Sequence, residues 1–292
     1  MKLSVVMPFY NAVDSLGVQL EALANQHWSE PWEVILVDNR STDGSRQIAE
    51  RYKERLPNLR IVDASARQGS PFARNVGVQA ATGEAIAFCD ADDEVAPGWV
   101  AAMGQALSQH DFVACSIDSD KLNSPWLVAA RGHPQRDGLQ KVSHSPYLPH
   151  AGAGTLGIKR SLYIRAGGFD ESFLYLYETD FCFKLQLAGV SLHFVPDAVM
   201  HVRFRHTFRG AYSQSRLWAA YSVKVQKKYQ GQVGTESPLS WKCHARNWQR
   251  LLWRLPFIRH KKDCFQFVWG LGWQVGLLQG SLKYRNVPPA RS

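Results

Sequence analysis

Cysteine is scarce in this 292-residue chain: there are five, at positions 89, 115, 182, 243 and 264, an odd number with no Cys-x-x-Cys pair. That pattern excludes a disulfide framework and a thiolate zinc site, and it fits a reducing compartment. Cys89 and Cys115 fall inside apolar, strand-like runs and read as small core residues. No apolar stretch reaches 18 residues, so no membrane-spanning helix is expected. The first apolar run, residues 3–7, is stopped by Pro8 and is too short for the apolar region of a signal peptide. A protein kept in the cytoplasm is therefore expected. Internal repeats, low-complexity segments and recognisable nucleic-acid modules are also missing. Acid is what the last third lacks most. Residues 201–292 hold 17 Lys and Arg against two acids, Glu236 and Asp263, whereas residues 1–200 hold 17 against 23. A mildly acidic body with a strongly basic tail implies a tail that meets an anionic surface or polymer.

What the first half does have is alternation. Strand-like runs at 3–7, 33–37, 59–63, 84–89 and 112–117 alternate with helix-like stretches at 12–26, 42–55, 70–81 and 97–109. Ser70 is expected to cap the third helix, with Pro71 at its first position. This spacing predicts a mainly parallel sheet with crossover helices. Ligands of such sheets sit beyond the carboxyl ends of the strands, so residues 8–11, 38–43, 63–67 and 90–93 matter most. From 119 to 154 the pattern loosens into a long connection suited to facing an acceptor. A short strand at 155–158, helices at 159–166 and 178–188, and a strand at 191–195 closed by Pro196 follow. Beyond about residue 205 the composition turns basic and Trp-rich, with helical stretches at 208–229, 241–254 and 264–284.

Asp90-Ala91-Asp92-Asp93, directly after an apolar strand, is the sharpest feature. Three carboxylates in four residues repel one another unless a cation shares them. Mg²⁺ and Mn²⁺ take such oxygen ligands and leave positions for phosphate. The plainer reading is a solvated acidic turn capping the next helix. Asp38, at another strand end, suits hydrogen bonding to a base or ribose, while Asp43 suits a local helix cap. Arg67 and Arg74 carry the forked guanidinium that matches a diphosphate; Arg74 lies on a helix whose N-terminus itself favours anions. Glu178 and Asp180, at a helix start, are candidates to take a proton from an acceptor hydroxyl, or simply complement the helix dipole. His201 is a candidate metal ligand or a structural hydrogen-bonder.

Together, residues 4–11, 37–45, 74–77, 88–93, 167–171, 178–189 and 195–198 resemble, in order, the motifs of family 2 glycosyltransferases. The resemblance implies a GT-A fold: an α/β architecture with a mainly parallel sheet flanked by helices and a Rossmann-like nucleotide-binding half. The catalytic domain is expected at 1–205, and a basic, Trp-rich helical extension at 206–292. The implied reaction is inverting transfer of a hexose or deoxyhexose from a nucleotide-diphospho-sugar to an acceptor hydroxyl, for cell-surface polysaccharide or glycolipid synthesis. Pro8, Tyr10, Asn11, Arg67, Arg74 and Ala91 are then substrate-binding, Asp38 reads the nucleobase, and Asp90 is the ribose- or phosphate-side member of the acidic motif. Asp92 and His201 hold Mn²⁺ or Mg²⁺. Glu178 is the implied base, with Asp180 two residues on. The sequence departs from the family pattern twice. Tyr177-Glu178 replaces a Glu-Asp pair, which leaves the base open between Glu178 and Asp180. Asp38-Asn39 replaces Asp-Asp, as in rhamnosyltransferase-like members, which leaves the donor open. The rivals are a nucleotidyltransferase, which releases pyrophosphate, and a non-catalytic binder of anionic polymers. The tail's Trp218, Trp241, Trp248, Trp253, Trp269 and Trp273, among many cations, imply peripheral contact with the inner face of an anionic membrane, or else helices packed on the body.

Overall fold

The computed structural model describes residues 1–142, 146–230 and 241–285; Glu236 and the side chains of Trp241 and Cys243 lie outside the described residues. The chain divides into two compact units. The first comprises Met1–Leu122, His133–Gln140 and His150–Arg203.

Its N-terminal half alternates as expected: β1 (Leu3–Phe9), α1 (Leu16–Ala24), β2 (Trp32–Asp38), α2 (Ser45–Arg51), β3 (Leu59–Asp63), α3 (Ser70–Ala80), β4 (Ala85–Phe88), β5 (Glu94–Val95), α4 (Trp99–Gln109) and β6 (Phe112–Asp118). After α5 (Pro125–Arg131), β7 (Gln140–Lys141) and β8 (Pro149–His150) come β9 (Leu156–Lys159), α6 (Arg160–Arg165), α7 (Tyr177–Leu187) and β10 (His193–His201). The central strands are apolar on both faces because both faces are covered; Glu33 through Asp38 are all buried. Helix α3 lies unusually close to the sheet. A Cβ on Gly77 would come within 2.4 Å of Val6 Cγ1 and 2.8 Å of Val37 Cγ2, so only glycine fits there.

Eight strands form one sheet in the order β3-β2-β1-β4-β9-β6-β10-β5. Pairings β3-β2, β2-β1, β1-β4 and β6-β10 are parallel, whereas β9 runs antiparallel to both neighbours and β5 antiparallel to β10. The order reverses between β1 and β4, and such a switch point opens a crevice beyond the strand ends. Register aligns Phe9 with Asp38 and Asp38 with Asp63, which sets three strand-end loops side by side.

Four local expectations change. The last strand does not stop at Pro196; it continues to His201 through a register shift between Val195 and Val199, where a proline costs no ladder bond. Ser70 does not cap α3: Gly69 does, and Ser70 turns its hydroxyl inward. The two-residue β5 is too short to leave a periodic trace. Helix α5 lies inside the stretch expected to be irregular.

The second unit takes Asn123–Gly132, Lys141–Pro149 and the chain from Phe204 onward. It contains α5, α8 (Phe208–Lys228), α9 (Trp241–Leu252) and α10 (Lys261–Lys283). The tail glycines do not break α10; they let it approach α8. Cβ atoms at Gly272, Gly276 and Gly280 would fall 2.6, 2.1 and 2.6 Å from the backbone oxygens of Tyr212, Arg216 and Ala220. Leu127, Ala211 and Phe265 form the core of this unit. Arg131 lies 3.6 Å from the Trp269 ring centre, and burial among the aromatics pulls its guanidinium down to about 10. Among the described residues no helix is long and apolar enough to cross a membrane.

Candidate active site

The site forms in the first unit, where the loops after β1, β2, β3 and β4 meet the start of α7. Two of the loops are tied together by short polar side chains. Asn11 takes a left-handed backbone (φ 46°), and its Oδ1 accepts from the Thr42 N–H at 2.8 Å. Asp43 accepts from the N–H of Ser45 at 3.0 Å and from that of Val13 at 3.0 Å, so it ties the turn before α2, whose N-cap is Gly44, to the loop after β1. Pro8 is half-buried at the end of β1, and Tyr10 leaves its ring 49% exposed.

Asp38 is buried, accepts from the Ser41 N–H at 2.9 Å and pairs with Arg46 at 3.3 Å. Asn39 has a different task. Its amide donates to the carbonyls of Ala64 (2.7 Å) and Arg67 (2.8 Å) and accepts from the Gly69 N–H (2.8 Å). These three partners hold the β3–α3 loop, so the Asp-Asn variant is a structural bracket. Exposed Arg67 pairs with Glu171. Asn75 organises that side of the site: its Nδ2 donates to Glu171 (2.9 Å) and Phe169 O (3.0 Å), and its Oδ1 accepts from the Phe169 N–H (3.0 Å).

Arg74 is the hub. Only 1% exposed, it pairs with Asp90 and donates to the Ser70 hydroxyl and, at 2.7 Å, to the Tyr177 hydroxyl. Burial disfavours its charge, but Tyr177, Asp90 and Glu178 outweigh this and raise its affinity for the proton. Through this one guanidinium the turn after β4 is joined to the first residue of α7. Below it, Phe88, Tyr163, Phe169 and Phe181 pack ring to ring, with centroids 4.9 to 5.8 Å apart, and fix the base of α7.

Carboxylate oxygens of Asp90, Asp92 and Asp93 lie within 4.8 Å of one another. Asp93 is buried and its carboxyl is pushed well up, first by burial and then by the negative charges of Asp92 and Asp90; the Arg203 N–H, 2.9 Å away, partly offsets this. Such a set of hard oxygens fits a divalent cation, which removes the repulsion. Ala91 is buried between them. His201 is not part of this group. Its Nδ1 lies 2.6 Å from Asp118, and because a carboxylate only accepts, that nitrogen carries the proton. Burial works against the Asp118 charge, but the N–H groups of Asp120 and Lys121 together with His201 hold it at about 2.

Glu178 is half-buried and Asp180 fully enclosed at 0% exposure. Burial raises the Glu178 carboxyl to about 7; its own N–H and Arg74 pull it down, and Asp90 pushes it up.

Three supports of the acidic turn escape a sequence reading. Gln19 sits on the apolar face of α1 between Leu16 and Leu20, fully buried, and reaches Asp90 O at 3.1 Å and the Val95 N–H at 2.8 Å. A polar residue on that face is the one trace it leaves. Arg203 bonds Asp92 O at 3.2 Å as well as Asp93. Gly154 leaves no room for a side chain: a Cβ would lie 2.7 Å from Asp90 Oδ2. Gly154→Ala is expected to displace that carboxylate and lower Mn²⁺ affinity about tenfold, a cost typical of overpacking. Titration of free Mn²⁺ by electron paramagnetic resonance measures it, and unchanged affinity would show that Asp90 is not a ligand.

Known proteins share both the sequence pattern and the fold. A family model described as Glycosyl transferase family 2 matches residues 4–165, and one described as Glycosyl transferase family group 2 matches residues 85–285. The chain is 41% identical over 131 residues to the uncharacterized glycosyltransferase YibD of Escherichia coli K12, covering 45% of this chain and 36% of that protein. It is 37% identical over 144 residues to TuaG of Bacillus subtilis, a putative teichuronic acid biosynthesis glycosyltransferase, covering 49% and 52%. The chain thus matches about a third to a half of these relatives' lengths. Among solved structures, the mannosyltransferase PcManGT of Pyrobaculum calidifontis, in complex with GDP-Man and Mn²⁺, superposes with a TM-score of 0.65 at 20% identity, over 97% of this chain and 87% of that one. TarS 1–349 of Staphylococcus aureus with UDP-GlcNAc gives 0.58 at 19%, over 100% and 93%. The shared architecture is the GT-A fold.

Proposed function

The chain belongs to glycosyl transferase family 2, and from that premise we propose that it transfers a sugar from a nucleotide-diphospho-sugar to an acceptor hydroxyl with inversion, in the synthesis of a cell-surface polysaccharide or glycolipid. The observation that carries this reading is the Arg74 bridge, which joins Asp90 of the acidic turn to Tyr177 beside Glu178. It brings a diphosphate-binding edge and a proton acceptor to one place.

In this reading the donor lies across the β1/β4 crevice. Asp38 receives the nucleoside, with Pro8, Tyr10 and Asn11 bordering it and Ala91 leaving room at the turn. Mn²⁺ or Mg²⁺ would be held by Asp92 with Asp90 and Asp93, while His201, paired with Asp118, stands outside this set. When bound, the ion neutralises the departing diphosphate. Glu178 takes the acceptor proton; Asp180, enclosed, positions α7 rather than meeting substrate. Attack from the face opposite the diphosphate inverts the anomeric centre, and alignment supplies much of the acceleration. The relatives' donors include UDP-GlcNAc and GDP-Man, which supports a nucleotide sugar without choosing the base. Because Asn39 holds only backbone, the Asp-Asn pair does not choose it either.

The test is to offer uridine, guanosine and thymidine nucleotide sugars with Mn²⁺ and Mg²⁺ and to read the small product. Nucleoside diphosphate is expected. Sugar 1-phosphate, the leaving group when a nucleotidyl group is taken from a nucleotide sugar, would establish the nucleotidyltransferase reading, and no turnover together with no nucleotide-induced thermal shift would remove both.

A further inference from the structure

Trp126, Trp218 and Trp269 of the second unit are half-buried and packed against other rings. Trp218 and Trp269 meet edge to face at 5.7 Å, and Trp126 meets Phe265 at 5.7 Å. Trp253 is different. It is 71% exposed and stands in six consecutive exposed residues, 252–257, together with Leu252, Leu255 and Phe257, the last 70% exposed. Four large apolar side chains left in water within six residues mark a contact surface. The geometry keeps them together: α9 ends at Leu252, and a short 3-10 turn, Leu255–Phe257, follows at once, so the segment cannot bury them against its own helix. Exposed cations flank and interleave them in the sequence, namely Arg250, Arg254, Arg259 and Lys262, and no acid occurs from residue 241 to residue 262.

We propose that residues 250–262 form a docking surface for an anionic lipid bilayer. Trp253 and Phe257 seat at the boundary between headgroups and acyl chains, and the four cations neutralise lipid phosphates. The two halves of the surface select this partner jointly. A nucleic acid would satisfy the arginines but leave Leu252, Leu255 and Phe257 in water. An apolar protein groove would cover those three but meet an uncompensated cluster of positive charge. A bilayer of anionic lipid supplies an apolar layer directly beneath a phosphate layer, and indole favours the depth where the two meet. Since no described helix spans a membrane, the chain lies on the surface through this stretch.

The experiment is co-sedimentation of the full chain with vesicles of phosphatidylcholine alone and of phosphatidylcholine with phosphatidylglycerol. The protein is expected to pellet with the anionic vesicles and to be released as salt rises. The double variant Trp253→Ala/Phe257→Ala is expected to lose at least about tenfold in partition coefficient, the scale set by two withdrawn aromatic side chains. Arg250→Glu/Arg254→Glu is expected to abolish the preference for phosphatidylglycerol. All four positions are exposed, so circular dichroism and melting temperature should stay at wild-type values and separate lost docking from lost folding. Absence of wild-type partitioning overturns the proposal. So does a Trp-Phe variant that binds vesicles as the wild type does, or wild-type binding to single-stranded RNA that matches vesicle binding and depends on the arginines alone.

Discussion

Replacing Glu178 with Gln is expected to slow sugar transfer by about 10³-fold while leaving donor affinity within about twofold. Gln keeps the volume and the hydrogen-bonding reach of Glu at the start of α7 but cannot take a proton. The carboxyl is set up for the task by its surroundings. Burial raises it to about 7, its own N–H and Arg74 oppose the rise, and Asp90 adds to it. A base must be ionised to act, so kcat/KM is expected to climb through about pH 7 and level off above. That limb should be missing from the residual activity of Glu178→Gln. Stability moves in the opposite sense. The folded carboxyl binds its proton more tightly than the unfolded one, whose ordinary value is 4.5. The associated stabilisation is complete below 4.5 and is lost as pH rises through about 7. Glu178→Gln, always neutral, should therefore melt higher than the wild type at pH 8 and match it near pH 4. Measuring turnover and melting temperature on one pH series checks both consequences. Wild-type turnover in the variant would move the base elsewhere on α7.

Much of the layout is legible because it rests on local pattern. A run such as Trp32–Asp38, apolar after its Glu and ending in Asp, can only be a strand covered on both faces, and the acid at its tip belongs to the carboxyl edge. The same holds for Ala85–Phe88 and the acids that follow. What local pattern does not carry is the far partner. Gln19 supports Asp90 across 71 residues and Arg203 supports Asp92 across 111, and no spacing rule links such positions. The choice between Glu178 and Asp180 is similar. Both acids open the same helix, and only tertiary packing encloses one and leaves the other at the surface of the cleft. Asn39 misleads in the other direction. It stands beside Asp38, the acid proposed for the nucleoside, yet its amide serves three backbone groups of the neighbouring loop. In α10, Gly272, Gly276 and Gly280 are the flat face of one continuous helix, because α8 fills the space that side chains would take.

Asp92→Ala is expected to remove the Mn²⁺-dependent part of nucleotide binding and to lower turnover by about 10³-fold or more, the range lost when charge stabilisation of a leaving group is removed. The three acids are not equivalent. Asp90 is held by Arg74, and Asp93 is buried against the Arg203 N–H. Asp92 is the exposed member, which in the proposed function makes it the carboxylate that an arriving diphosphate and its cation would meet first. Alanine there leaves Asp90, paired with Arg74, and Asp93, whose carboxyl is pushed well up. Asp92 is one of the charges that push Asp93 up, so its removal lowers the Asp93 carboxyl toward its ordinary range, and the melting temperature of the metal-free variant at pH 7 reports whether the fold is kept. Loss of function with retained stability is the signature that separates a ligand from a structural acid. Asp92→Asn, which keeps an oxygen but not the charge, should fall between the two in Mn²⁺ affinity. Isothermal titration with a nucleoside diphosphate, with and without Mn²⁺, resolves the series. A metal-dependent increment that survives in Asp92→Ala would place the cation on other residues.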